Sequence, residues 1–234
     1  RTSTSRPYNV RSLLTRITRG IASQARIAFI DIQNKKEQLT IPANLAQYYF
    51  PILSSPCSPL TRSYKAGVRI ASNSWGLEEH SYYDDLCQQV DEYVWGHNDM
   101  FILFAAGNEG EKGYVRSASL SRSFDTISSP SFAKNALAVG AVYSDYLKIS
   151  DGKNYVTYFS SEAIELPKVG LNRMHQPQIK PDIVATGVAY SAKSLSKRDC
   201  GSSCNNHDGV TFMGGTSMAT PAVAGASAII TQYF

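Results

Sequence analysis

The stretch that decides the fold is MFILFAAGNEG, residues 100–110. Its first five residues are all apolar, which is typical of a strand buried between two helical layers. VRIASNS at residues 68–74 reads as another strand, and a helix-period pattern over residues 82–95 separates the two. Together the three segments predict a right-handed βαβ unit whose two strands are parallel.

The rest of the chain continues this alternation of short apolar runs and helical segments. Ser81 is the predicted cap of the first helix and Gly96 its end. The alternation favours an α/β fold, a doubly wound and mostly parallel sheet with helices on both faces. Further strands are predicted at residues 26–32, 136–142, 157–159 and 210–213 and around Ile183.

Length and composition exclude several classes of protein. The chain has 234 residues, 43% of them hydrophobic and 18% charged, which suits one domain with a sizeable core. A net charge of +4 without a polybasic block makes nucleic acid a poor candidate partner. The longest apolar stretches fall well short of the roughly 18 residues that a membrane-spanning helix needs. We therefore expect a soluble globular chain with no membrane segment.

Four cysteines bear on the compartment. Cys57, Cys87, Cys200 and Cys204 favour an oxidising environment and a disulfide bond, and hence a secreted or lumenal protein, but leave the pairing open. Cys200 and Cys204 share a Gly/Ser/Asn loop, which suits a local bridge or an exposed thiol pair. A zinc site at Cys204 and His207 would need two further ligands, so no metal site is predicted.

A second decisive stretch is MGGTSMATPAVAGA, residues 213–226. Its small residues suit a helix that packs closely against the sheet. Pro221 is tolerated only near a helix start, which places that start close to Ser217. Free N–H groups and the positive end of the helix dipole would then lie beside Ser217 and favour a developing oxyanion there. The alternative is that Ser217 or Thr216 merely caps the helix.

Two further segments follow predicted strands at the edge of the sheet where ligands bind. They are residues 73–76 and 105–110, and we expect them to be neighbours. The amide of Asn108 could donate to an oxyanion, although an Asn between glycines is more often a turn residue. The extended edge at Ser74, Trp75 and Gly76 could hold a peptide as an added strand, with core packing as the alternative for Trp75.

These motifs together resemble one family. G-T-S-M-A-T-P at residues 215–221 resembles the nucleophile motif of the subtilisin-like serine peptidases, the subtilases. A-A-G-N-E-G at residues 105–110 is similar to the segment that carries the family's oxyanion-hole Asn. Residues 73–76 resemble its substrate-binding strand, and residues 128–141 the stretch beside its specificity pocket. Residues 180–187 resemble its K-P-D segment, with Thr186 in place of the usual Pro. The resemblance covers residues 20–234 in collinear order.

The resemblance implies a serine endopeptidase that acts on proteins or peptides. It assigns Ser217 as nucleophile and Asn108 to the oxyanion hole, with substrate bound along Ser74, Trp75, Gly76, Ala106 and Gly107. It requires no cofactor for the chemistry, and structural calcium is common in the family. By the same analogy, the peptide bond between Ser129 and Pro130 is expected to be cis. The oligomeric state is left open.

The resemblance also leaves the catalytic machinery incomplete. The family takes its catalytic Asp and His from D-S/T-G and H-G-T-H segments upstream of the region matched by Gly20, and this sequence contains neither. We therefore expect residues 1–19 to be an extension or loop segment, and residues 20–234 a partial catalytic domain that is incomplete at its N-terminus and a poor peptidase by itself. The alternative is a subtilase-like protein that binds peptides without cleaving them.

Overall fold

The computed structural model describes residues 20–29, 32, 67–77, 82–111, 126–143, 155–164, 178–192 and 210–234. Within these ranges the chain forms eight strands and two helices. The helices are α1 (Asp85–Gly96) and α2 (Thr216–Tyr233). The strands are β1 (Ile70–Asn73), β2 (Phe101–Ala105), β3 (Leu137–Val142), β4 (Ala163–Ile164), β5 (Ile179–Lys180), β6 (Ile183–Thr186), β7 (Val188–Ala192) and β8 (Val210–Gly214).

The centre of the fold is a four-stranded parallel sheet with the order β1-β2-β3-β6. Ile70 pairs with Phe101, and every neighbouring pair of strands in this sheet runs parallel. The β1-α1-β2 unit confirms the predicted βαβ arrangement. Two antiparallel pairs, β4 with β5 and β7 with β8, complete the described strands. The predicted strand at residues 210–213 is thus confirmed, but as part of an antiparallel pair.

Successive residues of β2 face two different helical layers. Ile102 and Phe104 are buried in a cluster with residues of α1, whereas Leu103 is buried in a second cluster with Ala219 and Val223 of α2. Side chains alternate across a strand, so the two helices cover opposite faces of the sheet. This confirms the predicted doubly wound architecture, and it explains why β2 is apolar at every position.

The start of α1 differs from the prediction. Asp84, not Ser81, is the N-cap, and its Oδ1 accepts the N–H groups of Leu86 and Cys87 at 3.1 Å each. A carboxylate at this position satisfies two free N–H groups at the positive end of the helix. Ser81 itself lies outside the described ranges. The helix ends at Gly96, as predicted.

Two predicted strands are wrong. Residues 26–29 and 32 lie outside any strand, and the side chains of Ile27 and Phe29 are 86% and 84% exposed. An apolar pattern forms a strand only where a partner supplies a hydrogen-bond ladder, and no such pairing exists among the described residues. At residues 157–159 the chain turns instead, because the N–H of Ser160 returns to the carbonyl of Thr157 at 3.0 Å.

Two charged side chains hold the segment between residues 133 and 136. The buried Nζ of Lys180 donates to the carbonyls of Ala133 and Ala136 and to Asp182 Oδ2, at 3.0, 3.1 and 2.7 Å. From the other side, Asp91 of α1 accepts the N–H groups of residues 134 and 135. An irregular segment thus has its carbonyls satisfied by a cation and its N–H groups by an anion. The segment leads back along the chain to residues 128–132, which border the site described below.

The described ranges include one of the four cysteines. Cys87 is buried and free, so the predicted disulfide bond finds no support in this part of the protein. Cys57, Cys200 and Cys204 lie outside the described ranges. The two helices found here are also too short or too polar to cross a bilayer.

Candidate active site

The ends of β1 and β2 lie side by side, as predicted. Asn73 pairs with Phe104 in the sheet, and its Nδ2 also donates to the carbonyl of Leu103 at 3.0 Å. The segments that follow both strands meet a third segment at Ser128, whose N–H donates to the carbonyl of Ala106 at 3.0 Å. Residues 74–76 and 106–108 therefore border one common region.

The two segments that border this region, residues 74–76 and 106–108, form its walls, and each wall requires a glycine. A Cβ atom at Gly76 would lie 2.4 Å from Ser128 Oγ, and one at Gly107 would lie 3.2 Å from the same hydroxyl and 2.8 Å from Ser161 Oγ. Gly107 also has a φ of +112°, which residues with a side chain rarely adopt. Because Ser128 is buried, the two walls approach each other with its hydroxyl between them.

Helix α2 begins at this same region. Its N-cap is Gly215, and no side chain caps it, so neither Thr216 nor Ser217 has the capping role that the sequence left open. Ser217 is the second residue of the helix, and its N–H is among those without an intrahelical acceptor. The predicted helix start is confirmed, and the Ser217 hydroxyl is not used to cap the helix.

Thr216 fixes the orientation of Asn108. The N–H and the hydroxyl of Thr216 both donate to Asn108 Oδ1, at 2.9 and 3.1 Å. The same hydroxyl accepts the N–H of Gly107 at 3.2 Å. With Oδ1 held by two donors, the Nδ2 group of the amide points away from Thr216. Sequence reasoning missed this role, because it considered Thr216 only as a helix cap.

Ser217 and Ser74 exchange hydrogen bonds. Ser74 Oγ donates to the carbonyl of Ser217 at 2.9 Å, and Ser217 Oγ donates to the carbonyl of Ser74 at 3.3 Å. The two residues are 143 positions apart in the sequence. The start of α2 is thereby joined directly to the predicted peptide-binding edge.

Two of the predicted substrate-binding side chains face the core. The ring of Trp75 packs edge-on against Phe104 with ring centroids 5.4 Å apart, and it borders the core cluster beside α1. Ala106 is fully buried, and both of its backbone groups are bonded within the fold. Trp75 therefore turns its ring toward the core, and Ala106 offers a ligand neither its side chain nor a free backbone group.

A further network ties the edge to the start of α1. The N–H of Leu77 donates to the carbonyl of Ser129 at 2.7 Å, and Ser129 Oγ donates to Asp84 Oδ1 at 2.7 Å. The thiol of Cys87 lies 3.7 Å from the same Ser129 hydroxyl. Burial raises the pKa of Cys87 to about 12, so this thiol stays neutral and unreactive near neutral pH. The predicted cis peptide bond between Ser129 and Pro130 is confirmed.

The described ranges contain a single histidine, and it lies away from Ser217. His97 follows the end of α1, which returns the chain to the start of β2, whereas Ser217 lies where β1 ends. The ring of His97 stacks on Tyr93 with centroids 4.2 Å apart. His207, like His80 and His175, lies outside the described ranges. In these ranges no group of three or more His, Cys, Asp or Glu residues could hold a metal ion.

The chain is similar to known serine proteases. A profile of the subtilase family matches residues 8–234. The Dictyostelium discoideum serine protease/ABC transporter B family proteins tagB and tagD are 27% and 25% identical to this chain over alignments that cover 92% of it. The chain spans only 13% and 14% of their lengths.

The fold of this chain is also similar to that of a solved protease structure. The self-cleaved protease domain of PatA superposes with a TM-score of 0.55 and 21% sequence identity. The alignment covers 93% of this chain and 64% of that domain. At this level of identity the likeness concerns the fold alone.

Proposed function

The chain belongs to the subtilase family, and from that membership we propose that it is the nucleophile-bearing part of a serine endopeptidase. One observation carries the proposal. Ser217 lies in the first turn of α2, and its hydroxyl does not cap the helix. The Asn108 amide lies at the same helix start, with its oxygen held by Thr216. A nucleophile and a pre-oriented N–H donor therefore lie together, as acyl transfer requires.

In the proposed reaction, Ser217 Oγ attacks the carbonyl carbon of the scissile peptide bond. Asn108 Nδ2 and the Ser217 N–H donate to the oxyanion that forms. A base takes the Ser217 proton and passes it to the leaving amine, so that an acyl-enzyme remains for water to hydrolyse. We propose that this base is a histidine oriented by an aspartate, and that both lie outside this chain.

The proposed substrate is a protein or peptide held in extended form along residues 74–76. Backbone groups at this edge can pair with a peptide as with an added strand. Ala106 and Gly107 would form the opposite wall. The chemistry as proposed uses protein groups only. A structural calcium ion and a secreted or lumenal location stay predictions.

A second candidate function is peptide binding without cleavage. It is favoured by the hydrogen bond from Ser217 Oγ to the Ser74 carbonyl, because a hydroxyl activated for attack would donate to a base instead. Both candidates use the same edge for the peptide. They differ in whether a base reaches Ser217.

The test uses the intact natural protein that contains this chain. Treatment with a fluorophosphonate probe is expected to label Ser217 covalently, and a fluorogenic peptide is expected to be turned over. Ser217→Ala should abolish both signals. Ser227→Ala is the matched control, since that hydroxyl lies in the same helix and donates to the Val223 carbonyl. Saturable peptide binding without labelling or turnover would establish the binding function instead.

A further inference from the structure

Proline at position 221 leaves the carbonyl of the nucleophile without its helical donor. In an α-helix the N–H of residue i+4 donates to the carbonyl of residue i, so the partner of Ser217 would be residue 221. Pro221 lies inside α2 and has no N–H. Its ring also crowds the carbonyl four residues earlier, which is that of Ser217. The carbonyl of the nucleophile thus lacks the donor that an uninterrupted helix would supply, although the N–H of the same peptide group, that of Met218, donates to the Gly215 carbonyl at 3.0 Å.

Ser74 supplies the missing donor. Its Oγ lies 2.9 Å from the Ser217 carbonyl oxygen and donates to it across the region between β1 and α2. We propose that Ser74 is a positioning residue for the reaction, because its hydroxyl replaces the absent N–H of residue 221 and fixes the Ser217 peptide group against the substrate edge. This inference rests on the proposed peptidase function.

The direction of this bond gives it a specific effect. One other hydrogen bond joins the helix start to the end of β1, from Ser217 Oγ to the Ser74 carbonyl, and it is lost when Ser217 Oγ attacks a substrate. The remaining bonds that leave the helix start run to Asn108, after β2, and from the Gly215 N–H to the Gly187 carbonyl, after β6, at 2.8 Å. The Ser74 hydroxyl ties the helix start to the end of β1. Loss of this tie would let Ser217 shift relative to a peptide bound along residues 74–76 and leave the binding edge intact. The expected loss is therefore in kcat, because attack depends on the alignment of reacting atoms.

The first experiment compares steady-state kinetics of variants in the intact natural protein. Ser74→Ala removes the hydroxyl but keeps the backbone carbonyl, and it is expected to lower kcat by about three- to tenfold, the range for one net hydrogen bond, with KM within about twofold. Ser74→Thr keeps a hydroxyl and should recover most of the lost kcat. Ser72→Ala is the matched control, because Ser72 is an exposed residue of the same strand.

The second experiment restores the missing donor. In Pro221→Ala, the new N–H at position 221 can donate to the Ser217 carbonyl. Removal of the Ser74 hydroxyl in this background should then lower kcat by less than about twofold, so the two substitutions are coupled. Equal losses in the two backgrounds would overturn the inference. So would a Ser74→Ala enzyme whose kcat matches that of Ser72→Ala.

Failure of the proposed function looks different. If the unmodified protein neither turns over peptide nor reacts with the fluorophosphonate probe at Ser217, the peptidase proposal fails and the positioning role of Ser74 fails with it. If the unmodified protein is active and Ser74→Ala is equally active, only the positioning role fails. Thermal unfolding of each variant separates both outcomes from a general loss of structure.

Discussion

The amide oxygen of Asn108 accepts both donors of Thr216, a residue 108 positions away in the chain. Oδ1 can reach Thr216 only while the amide is turned so that Nδ2 faces the other way. The fold therefore holds one orientation of a side chain that would otherwise rotate. In the proposed reaction this fixed orientation lowers the cost of stabilising the oxyanion, since no rearrangement is needed during attack.

Replacement of Asn108 by Ala should lower kcat by about 10²- to 10³-fold, the effect known for such a donor in subtilisin. KM should change little, because the amide is proposed to bond to the oxyanion and not to the bound peptide. Steady-state kinetics on the intact protein provide the measurement. Asn135→Ala removes another exposed amide and serves as the control. A rise in KM at constant kcat would instead assign Asn108 to substrate binding.

Gly76→Ala should damage the substrate edge. The added methyl group would lie 2.4 Å from Ser128 Oγ and 3.1 Å from the carbonyl oxygen of Ser129, so the walls must separate. We expect a loss of about 1–3 kcal/mol in the free energy of unfolding, the usual cost of overpacking, together with lower kcat/KM.

Two companion variants test the cause of that loss. Gly76→Ala combined with Ser128→Gly should recover part of it, because the nearest clashing atoms are removed. Gly96→Ala should be tolerated, since a Cβ atom there would meet nothing within 4 Å. If Gly76→Ala unfolds and reacts like the unmodified protein, the close approach of the two walls is not maintained in solution.

Lys180→Met should be strongly destabilising. Its ammonium group is buried, pairs with Asp182 and holds the carbonyls of Ala133 and Ala136. Removal of one partner from a buried ion pair costs about 3–5 kcal/mol, and urea unfolding should show a loss near the lower end because Asp182 is partly exposed. The surface pair of Arg69 and Asp99 provides the contrast, since Arg69→Met should cost about 0–1 kcal/mol. Equal losses for the two variants would contradict a stabilising role for the hydrogen bonds from Lys180 to the carbonyls of residues 133 and 136.

The thiol of Cys87 should make the folded protein sensitive to alkaline pH. Its ordinary pKa of 9.0 rises to about 12 in the folded state, chiefly through burial. Between these values the unfolded chain releases a proton that the folded chain keeps, so the free energy of unfolding should fall as pH rises from about 9 toward about 12. The stabilisation is fully present below pH 9.

Thermal unfolding across that range tests the prediction. The melting temperature of the unmodified protein should fall more steeply with pH than that of Cys87→Ala, which has no thiol to titrate. In a second measurement at pH 8, iodoacetamide should modify Cys87 only after unfolding, as read by peptide mapping. Rapid modification of Cys87 in the folded protein would show that the thiol is accessible and its pKa not raised.

Local sequence patterns predicted the parts of the fold that depend on local physics. The apolar run that begins at residue 100 predicted a strand buried between two helical layers, and the strand is found at Phe101–Ala105. Pro221 and the small residues around it placed the start of α2 correctly. The same kind of reasoning failed at residues 26–32, where the apolar pattern is present but no described partner strand forms a ladder with it.

In the candidate site, too, some features follow from the sequence and others only from the tertiary structure. The sequence by itself determined which residue types are available, with Ser217 at a helix start and Asn108 after a buried strand. It also determined that the Ser217 carbonyl lacks a helical donor, because Pro221 has no N–H. Only the tertiary structure decided that Thr216 orients Asn108, that Asp84 replaces Ser81 as the cap of α1, and that Ser74 supplies the missing donor. The Thr216 and Ser74 contacts join residues more than a hundred positions apart, and such contacts depend on how strands and helices pack, which no local pattern encodes.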